Sequence, residues 1–230
     1  MSVVAVAGRL DPSAGPRLRD DLLRIASEAD RALILDLDRL QVDRSSPLAG
    51  LVAVWSRVAV WPGIPVVLVA AEPALRLVLR ARAVSKLVPT VESMDQAVSY
   101  VSAVARRRRE QIHLACDRFS PRRSRLWIRA QLTEWGVDDP APAELVSTEL
   151  VDNAIIHARS PSVLRADLRQ GALSIAVLDD DPRPPRLVPI GERMDGGRGL
   201  VIVDQLTRAW GSSPRPGGGK IVWAVLSRPE

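Results

Sequence analysis

The sequence predicts an α/β protein built in two parts. Residues 1–105 alternate short apolar strand patterns with helical ones, the order of a small α/β domain with a largely parallel sheet core. Residues 106–230 carry a helical pattern studded with polar groups, then an apolar strand ending in carboxylates, then two glycine turns, one opening a helix and one a strand. Between them stands Arg106-Arg107-Arg108-Arg109, the one dense basic run, which marks the expected boundary.

In the first part, residues 3–7 read as a strand. Pro16 suits the first position of a helix whose apolar stripe is Leu18, Leu22, Ile25 and Ala29. Residues 32–37 are a second strand pattern containing Asp36, and residues 47–60 are apolar and helical. A third strand falls at 65–70, a helix at 73–83, a short strand at 88–91 and a last helix at 94–105. Ser93 and Gln96 have capping-box spacing at the start of that helix, and the arginines suit its C-terminal end and the linker beyond.

The second part holds the chemistry. Glu149, Asn153 and His157 are each four residues apart, which stacks them on one face of a helix. Leu145, Leu150, Val151, Ala154 and Ile155 supply the apolar faces that would bury it. A carboxylate and a carboxamide so aligned offer a general base and an oxygen ligand for a hard cation; a solvated polar stripe has the same spacing. Residues 173–181 are an apolar strand ending in Asp179-Asp180-Asp181, and a strand-end carboxylate can accept a hydrogen bond from an exocyclic amine. The proline-rich stretch 182–189 suits neither helix nor central strand. Gly196-Gly197-Arg198-Gly199 opens a helical pattern, where free backbone amides and the positive dipole end suit phosphate, with Arg198 as a charge partner. Gly217-Gly218-Gly219-Lys220 opens a final apolar strand.

Composition excludes several classes. The chain has 230 residues, 47% hydrophobic and 26% charged, an ordinary globular balance. Its single cysteine, Cys116, allows no internal disulfide, which points to a reducing compartment. No signal-peptide pattern opens the sequence, and its most apolar stretch, 58–71, is broken by Pro62, Gly63 and Pro65, so a cytoplasmic protein without a membrane span is expected. A net charge of +5 invites nucleic acid. The 32 basic residues are spread along the chain against 27 acids, and aromatics are only 3%, which argues against that partner.

The order Glu149/Asn153, Asp179, Gly197/Gly199, Gly219 resembles the ATP-binding domain shared by GHKL ATPases and histidine kinases, and most of all the anti-sigma-factor serine kinases. The resemblance covers residues 110–228 and implies a Bergerat-type sandwich, a mixed sheet with helices on one face. It implies Mg2+ and ATP as cofactors, Glu149 as general base and Asn153 as the magnesium ligand. Asp179 would read the adenine amine, while Gly197, Arg198, Gly199, Gly219 and Lys220 would surround the rest of the nucleotide, under a lid formed by the proline-rich stretch. Two departures stand out. The family's first glycine box, Asp-x-Gly-x-Gly, here reads Asp179-Asp180-Asp181-Pro182-Arg183, and Lys220-Ile221 stands where the last box often has threonine.

Gly8-Arg9-Leu10-Asp11, the strand Leu33-Ile34-Leu35-Asp36-Leu37 and the loop at 43–48 resemble a STAS domain, the fold of anti-sigma-factor antagonists. In that family the first serine of the loop accepts phosphate. Here the loop reads Asp43-Arg44-Ser45-Ser46-Pro47-Leu48, with Ser45 in the acceptor's place. The same residues also suit a helix start, with the serines as caps and Pro47 in the first turn. The expectation is a STAS-like domain over 1–105 fused to a kinase-like ATP-binding domain over 106–230. Such a chain would regulate transcription by partner switching with an antagonist-type domain or a sigma factor. Serine phosphorylation and a non-catalytic nucleotide switch both stay open, and dimers are common among relatives of both domains.

Overall fold

A computed structural model describes residues 1–43, 46–104, 107–169, 172–185, 199–215 and 217–227. The chain divides into two units, Met1–Arg106 and Arg107–Glu230.

In the first unit, β1 (Ser2–Arg9), β2 (Leu33–Gln41), β3 (Val66–Val69) and β4 (Thr90–Val91) lie side by side in that order, and each neighbouring pair is parallel. Parallel strands are buried on both faces, which is why Leu33–Leu37 and Val66–Val69 read as near-continuous apolar runs. On one face, Leu33, Leu35, Leu37, Val66 and Leu68 pack with residues of α1 (Ala14–Glu28), α2 (Ala49–Val60), α3 (Pro73–Ala81) and α4 (Val84–Leu87). On the other, Ile34, Val67 and Val69 meet Ala97 and Val101 of α5 (Met94–Val104).

Several element starts differ from the sequence reading. Helix α1 begins two residues before Pro16, because Asp11 Oδ1 accepts hydrogen bonds from the Ser13 and Ala14 amides at 2.8 and 2.9 Å and organises the turn. The Ser13 hydroxyl, with these amide bonds beside it, holds the Asp11 carboxyl below its ordinary range. Helix α2 begins at Ala49, not at 47, and has no side-chain cap. The Ser46 hydroxyl instead accepts from the Asp43 amide at 2.8 Å and is buried. The capping box at α5 forms in part: Ser93 Oγ accepts from the Gln96 amide at 3.3 Å, and Gln96 Oε1 reaches back to the Glu92 amide at 3.0 Å.

The second unit is a five-stranded sheet in the order β5-β6-β7-β9-β8. Its strands are β5 (Arg107–Leu114), β6 (Ser162–Arg169), β7 (Ala172–Asp179), β8 (Ala209–Pro214) and β9 (Lys220–Ser227). Every neighbouring pair among the described residues is antiparallel, so the expected mixed sheet is not what forms. Two hairpins, β6–β7 and β8–β9, account for half of the pairing. Residues Arg107 to Arg109 belong to an edge strand, not to the helix end and linker that the arginine run suggested. Arg109 is paired there with Asp167 of β6 at 2.6 Å.

One sheet face packs on helices. Leu164, Ala166, Leu173, Ile175, Val177, Val222 and Ala224 share a core with Ile128 and Leu132 of α6 (Ser120–Glu134), Val146, Leu150 and Val151 of α7 (Ala141–Asn153), and Leu200 and Val203 of α8 (Gly199–Leu206). Leu145 was expected on the buried stripe of α7, yet it is 40% exposed and Val146 is buried in its place.

Candidate nucleotide site

Helix α7 is pinned to α6 before it reaches the site. Arg129 of α6 donates to both oxygens of Glu144, Nε to Oε1 at 2.7 Å and a terminal nitrogen to Oε2 at 2.8 Å, a bidentate pair that sets the relative register of the helices. One turn further on, Arg125 Nε donates to Thr148 Oγ1 at 3.5 Å, which brings a guanidinium beside the next carboxylates.

Those carboxylates are Glu149 and Asp152. Burial pushes the Glu149 carboxyl above its ordinary range, the neighbouring Asp152 charge raises it further, and Arg125 opposes both. Burial also raises Asp152, again against Arg125. Glu149 faces the start of α8: a Cβ added at Gly199 would lie 2.6 Å from Glu149 Oε2. A glycine there lets the helix N-terminus approach the carboxylate. One turn beyond Glu149, Asn153 Nδ2 is buried with no hydrogen-bond partner. A buried amide N–H left unsatisfied calls for an acceptor, from water or from a bound group.

His157 does not join them. After Asn153 the helix widens into a π-turn, Ala154–Ala158, closed by the Arg159 amide on the Ala154 carbonyl at 3.1 Å. The wider turn breaks the four-residue stacking, and His157 is exposed. Arg159, at φ +52°, ends the segment. The Ser160 hydroxyl then accepts from the Asp180 amide at 3.3 Å, which ties the end of β7 to the end of this helix.

The end of β7 is tied to β9. The antiparallel register of β7 and β9 sets Asp179 opposite Lys220. Lys220 Nζ donates to Asp179 Oδ1 at 2.9 Å, to the Asp181 carbonyl at 3.0 Å and to Asp181 Oδ2 at 3.3 Å. The Asp181 amide adds a bond to Asp179 Oδ1 at 2.9 Å. The Asp179 side chain is 2% exposed and that of Lys220 7%. Burial raises the Asp179 carboxyl, while the bonds from Lys220 and from the Asp181 amide pull it down. Asp181 is lowered to about 2, first by Arg183, whose Nε donates to it at 2.9 Å. Gly219, at φ +76°, lies so close to the Asp179 carbonyl and Asp180 Cα that no Cβ fits. The backbone therefore packs tightly here without the glycines of the usual first box.

The structure thus sets Glu149 against Gly199, with Asn153 one turn along the same helix, and joins Asp179, Gly219 and Lys220. Ser45, Gly197 and Arg198 lie outside the described residues. Arg125 and Asp152 went unnoticed in the sequence. Asp152 was within reach, three residues after Glu149 on one helix; Arg125 meets them only through helix packing. Against magnesium and ATP, Asn153 offers an amide oxygen of the type a hard cation takes, and its Nδ2 is left without a partner. At the end of β7, Lys220 and the Asp181 amide both bond Asp179 Oδ1, which leaves Oδ2 as the oxygen with acceptor capacity. Among the described residues no three His, Cys, Asp or Glu side chains cluster as a metal cage, and no helix is long and apolar enough to cross a membrane.

The raised carboxyls have a consequence for stability. Because the folded Glu149 holds its proton more tightly than its unfolded value of 4.5, its contribution favours folding at acid pH and is lost as pH rises through the folded value. Glu149→Gln melts higher than the native chain at about pH 7.5, and the difference shrinks towards zero at about pH 4. Calorimetric melts at the two pH values check this, and a difference that persists in acid rules out ionisation as its origin.

Neither a protein-family model nor a curated protein matches the chain. Parts of it are similar to solved structures. An anti-sigma factor antagonist from Mycobacterium paratuberculosis is 25% identical over 44% of this chain and 84% of that one, with a TM-score of 0.39. The RsbU and RsbW domains of a Mycobacterium tuberculosis protein are 24% identical over 53% of this chain and 33% of that one, at a TM-score of 0.40. The anti-sigma factor antagonist SpoIIAA in its unphosphorylated form is 18% identical over 45% of this chain and 89% of that one, at 0.36.

Proposed function

We propose that the chain is an ATP-dependent regulator of the partner-switching type, which phosphorylates a serine on an antagonist-type partner domain in the cytoplasm. The observation that carries this reading is the Glu149 carboxylate, poised against the glycine start of α8 with the unpartnered Asn153 amide one turn away. Glu149, desolvated and raised, suits a group that takes the proton of a serine hydroxyl as it attacks. Asn153 would hold magnesium through its carbonyl oxygen, and Gly199, with Gly197 and Arg198 ahead of it, would face the phosphates. Bound Mg-ATP supplies the phosphoryl group. The STAS-like first unit would recruit or restrain partners beside the kinase, with Ser45 as a candidate acceptor of its own.

Incubation with labelled ATP, magnesium and a purified antagonist-type domain tests the reading. Label on a partner serine, absent in Glu149→Gln, is the expected result. ATP binding without any label on partner or chain overturns the transfer and leaves a second reading, a non-catalytic switch whose partner choice follows nucleotide occupancy. The first box, Asp179-Asp180-Asp181-Pro182-Arg183, which lacks both glycines, is the feature that favours this second reading.

A further inference from the structure

We propose that β1 pairs with the β1 of a second copy of the chain, antiparallel about a two-fold axis at Ala5, so that two first-unit sheets join into one.

The proposal starts from an edge left open where the other edges are blunted. The two sheets end in β1, β4, β5 and β8. A long uncharged edge invites a further strand, and folds blunt such edges with short strands, charges, glycine or proline. Strand β4 is two residues long, Thr90–Val91. Strand β5 sets Arg108 and Glu110 in the open. Strand β8 holds Gly211 and ends in Pro214. Strand β1 has none of these before Gly8: its first six residues read Ser-Val-Val-Ala-Val-Ala, with no charge and no proline. Among the described residues no strand pairs with its outer side. Val3 is 50% exposed, and Ala5 and Ala7 are exposed with it.

The backbone groups are laid out for a partner strand. The Ser2 amide donates to the Ala32 carbonyl at 2.9 Å and the Leu10 amide to the Gln41 carbonyl at 3.0 Å, so the even-numbered residues of β1 turn their amides and carbonyls towards β2. Val3, Ala5 and Ala7 turn theirs away from it. Side chains alternate as well. Val4 and Val6 join the core under α1 and α2, while Val3 lies in register with Ile34 on the opposite face of the sheet.

The occupant follows from the order of residues. A two-fold at Ala5 sets Val3 against Ala7, Val4 against Val6, and Ala5 against its own copy. Val3–Ala7 and Ala5–Ala5 are then the hydrogen-bonded pairs. Val4 and Val6, already bonded to β2, meet as the close non-bonded pair that suits β-branched side chains. On one face a large side chain meets a small one, on the other valine meets valine, and no like charges oppose. The matched stretch stops at Gly8, whose φ of +94° ends the regular strand. An isologous contact requires a self-complementary segment of this kind, and an uncharged edge gives an acidic or basic partner nothing to recognise.

Sedimentation of the full chain over a range of concentrations, native and substituted at Ala5, tests the pairing. The native chain is expected to dimerise. Ala5→Lys and Ala5→Glu are each expected to weaken the dimer roughly a hundred-fold or more, since like charges then face each other across the axis. Mixed in equal amounts, the two variants are expected to recover it, because an ammonium then faces a carboxylate. A native chain that stays monomeric overturns the proposal. So does a dimer that both variants leave intact, or one that their mixture fails to restore.

A second measurement needs no substitution. In the native dimer the Ala5 amide is expected to exchange slowly with solvent, and to lose that protection on dilution to monomer. Fast exchange at Ala5 in the dimer overturns the pairing even where the variants do not fold. Protection of Ala5 that arises only when a purified antagonist-type domain is added to a monomeric chain assigns the edge to a partner's strand and overturns the pairing too.

Discussion

Asp179→Ala is expected to lower the unfolding free energy by about 1–3 kcal/mol, the cost of stripping a buried ammonium of one of its two carboxylates. Lys220 is 7% exposed at the side chain and would retain only the Asp181 carbonyl and carboxylate. The loss is therefore one of stability before it is one of binding. Urea melts followed by tryptophan fluorescence read it directly, with Trp223 three residues along β9. Replacing both partners by apolar groups of similar size, Asp179→Leu with Lys220→Met, is expected to recover most of the loss, because neither charge then has to be desolvated. If the single substitution costs less than about 1 kcal/mol, Lys220 relaxes into water and the clasp around the aspartates contributes little to the fold.

Glu149 and Asn153 are expected to separate cleanly in their effects. Glu149→Gln keeps the size of the side chain and removes the proton acceptor. Transfer to a partner serine should fall by about 10²–10⁴-fold, while ATP affinity stays within a factor of about two. Asn153→Ala removes an oxygen ligand from a hard cation. Magnesium-dependent ATP binding should weaken by roughly ten-fold or more, with less effect when magnesium is chelated. Calorimetric titration with and without magnesium, beside single-turnover transfer, distinguishes the two. Should Glu149→Gln lose ATP affinity as badly as Asn153→Ala, Glu149 holds the metal or the fold, and the base must be sought elsewhere, with Asp152 the nearest carboxyl to consider.

Much of the fold was legible where burial imposes a pattern. The strands of the first unit announce themselves as apolar runs because a parallel sheet covered on both faces leaves no polar side. In the second unit β7 and β9 are equally plain, since both lie in the interior of the sheet. The edges were not legible. Strand β5 reads Arg-Arg-Arg-Glu-Gln-Ile-His-Leu, and its charges suit an exposed edge better than any core. Strand β8 contains glycine, two serines and a terminal proline, and looks like a loop until β9 pairs with it.

At the site, the spacing of Glu149 and Asn153 and the position of Asp179 at a strand end follow from the sequence alone, because helical and strand periods are local properties of the chain. The π-turn that swings His157 out of line lies beyond periodicity, for it adds a residue to one turn without changing composition. The pairing of Asp179 with Lys220 was decided only by tertiary structure. The two residues stand 41 apart in the chain, and only the β7–β9 register makes them cross-strand neighbours. Arg125 likewise reaches Glu149 and Asp152 only through the packing of α6 on α7, where Ile128 and Leu132 share a core with Val146, Leu150 and Val151. The sequence by itself determined the candidate residues, through residue type and local spacing. Their charge pairing depends on long-range contacts in a buried setting, where the Lys220 ammonium bonds Asp179 and Asp181 at once.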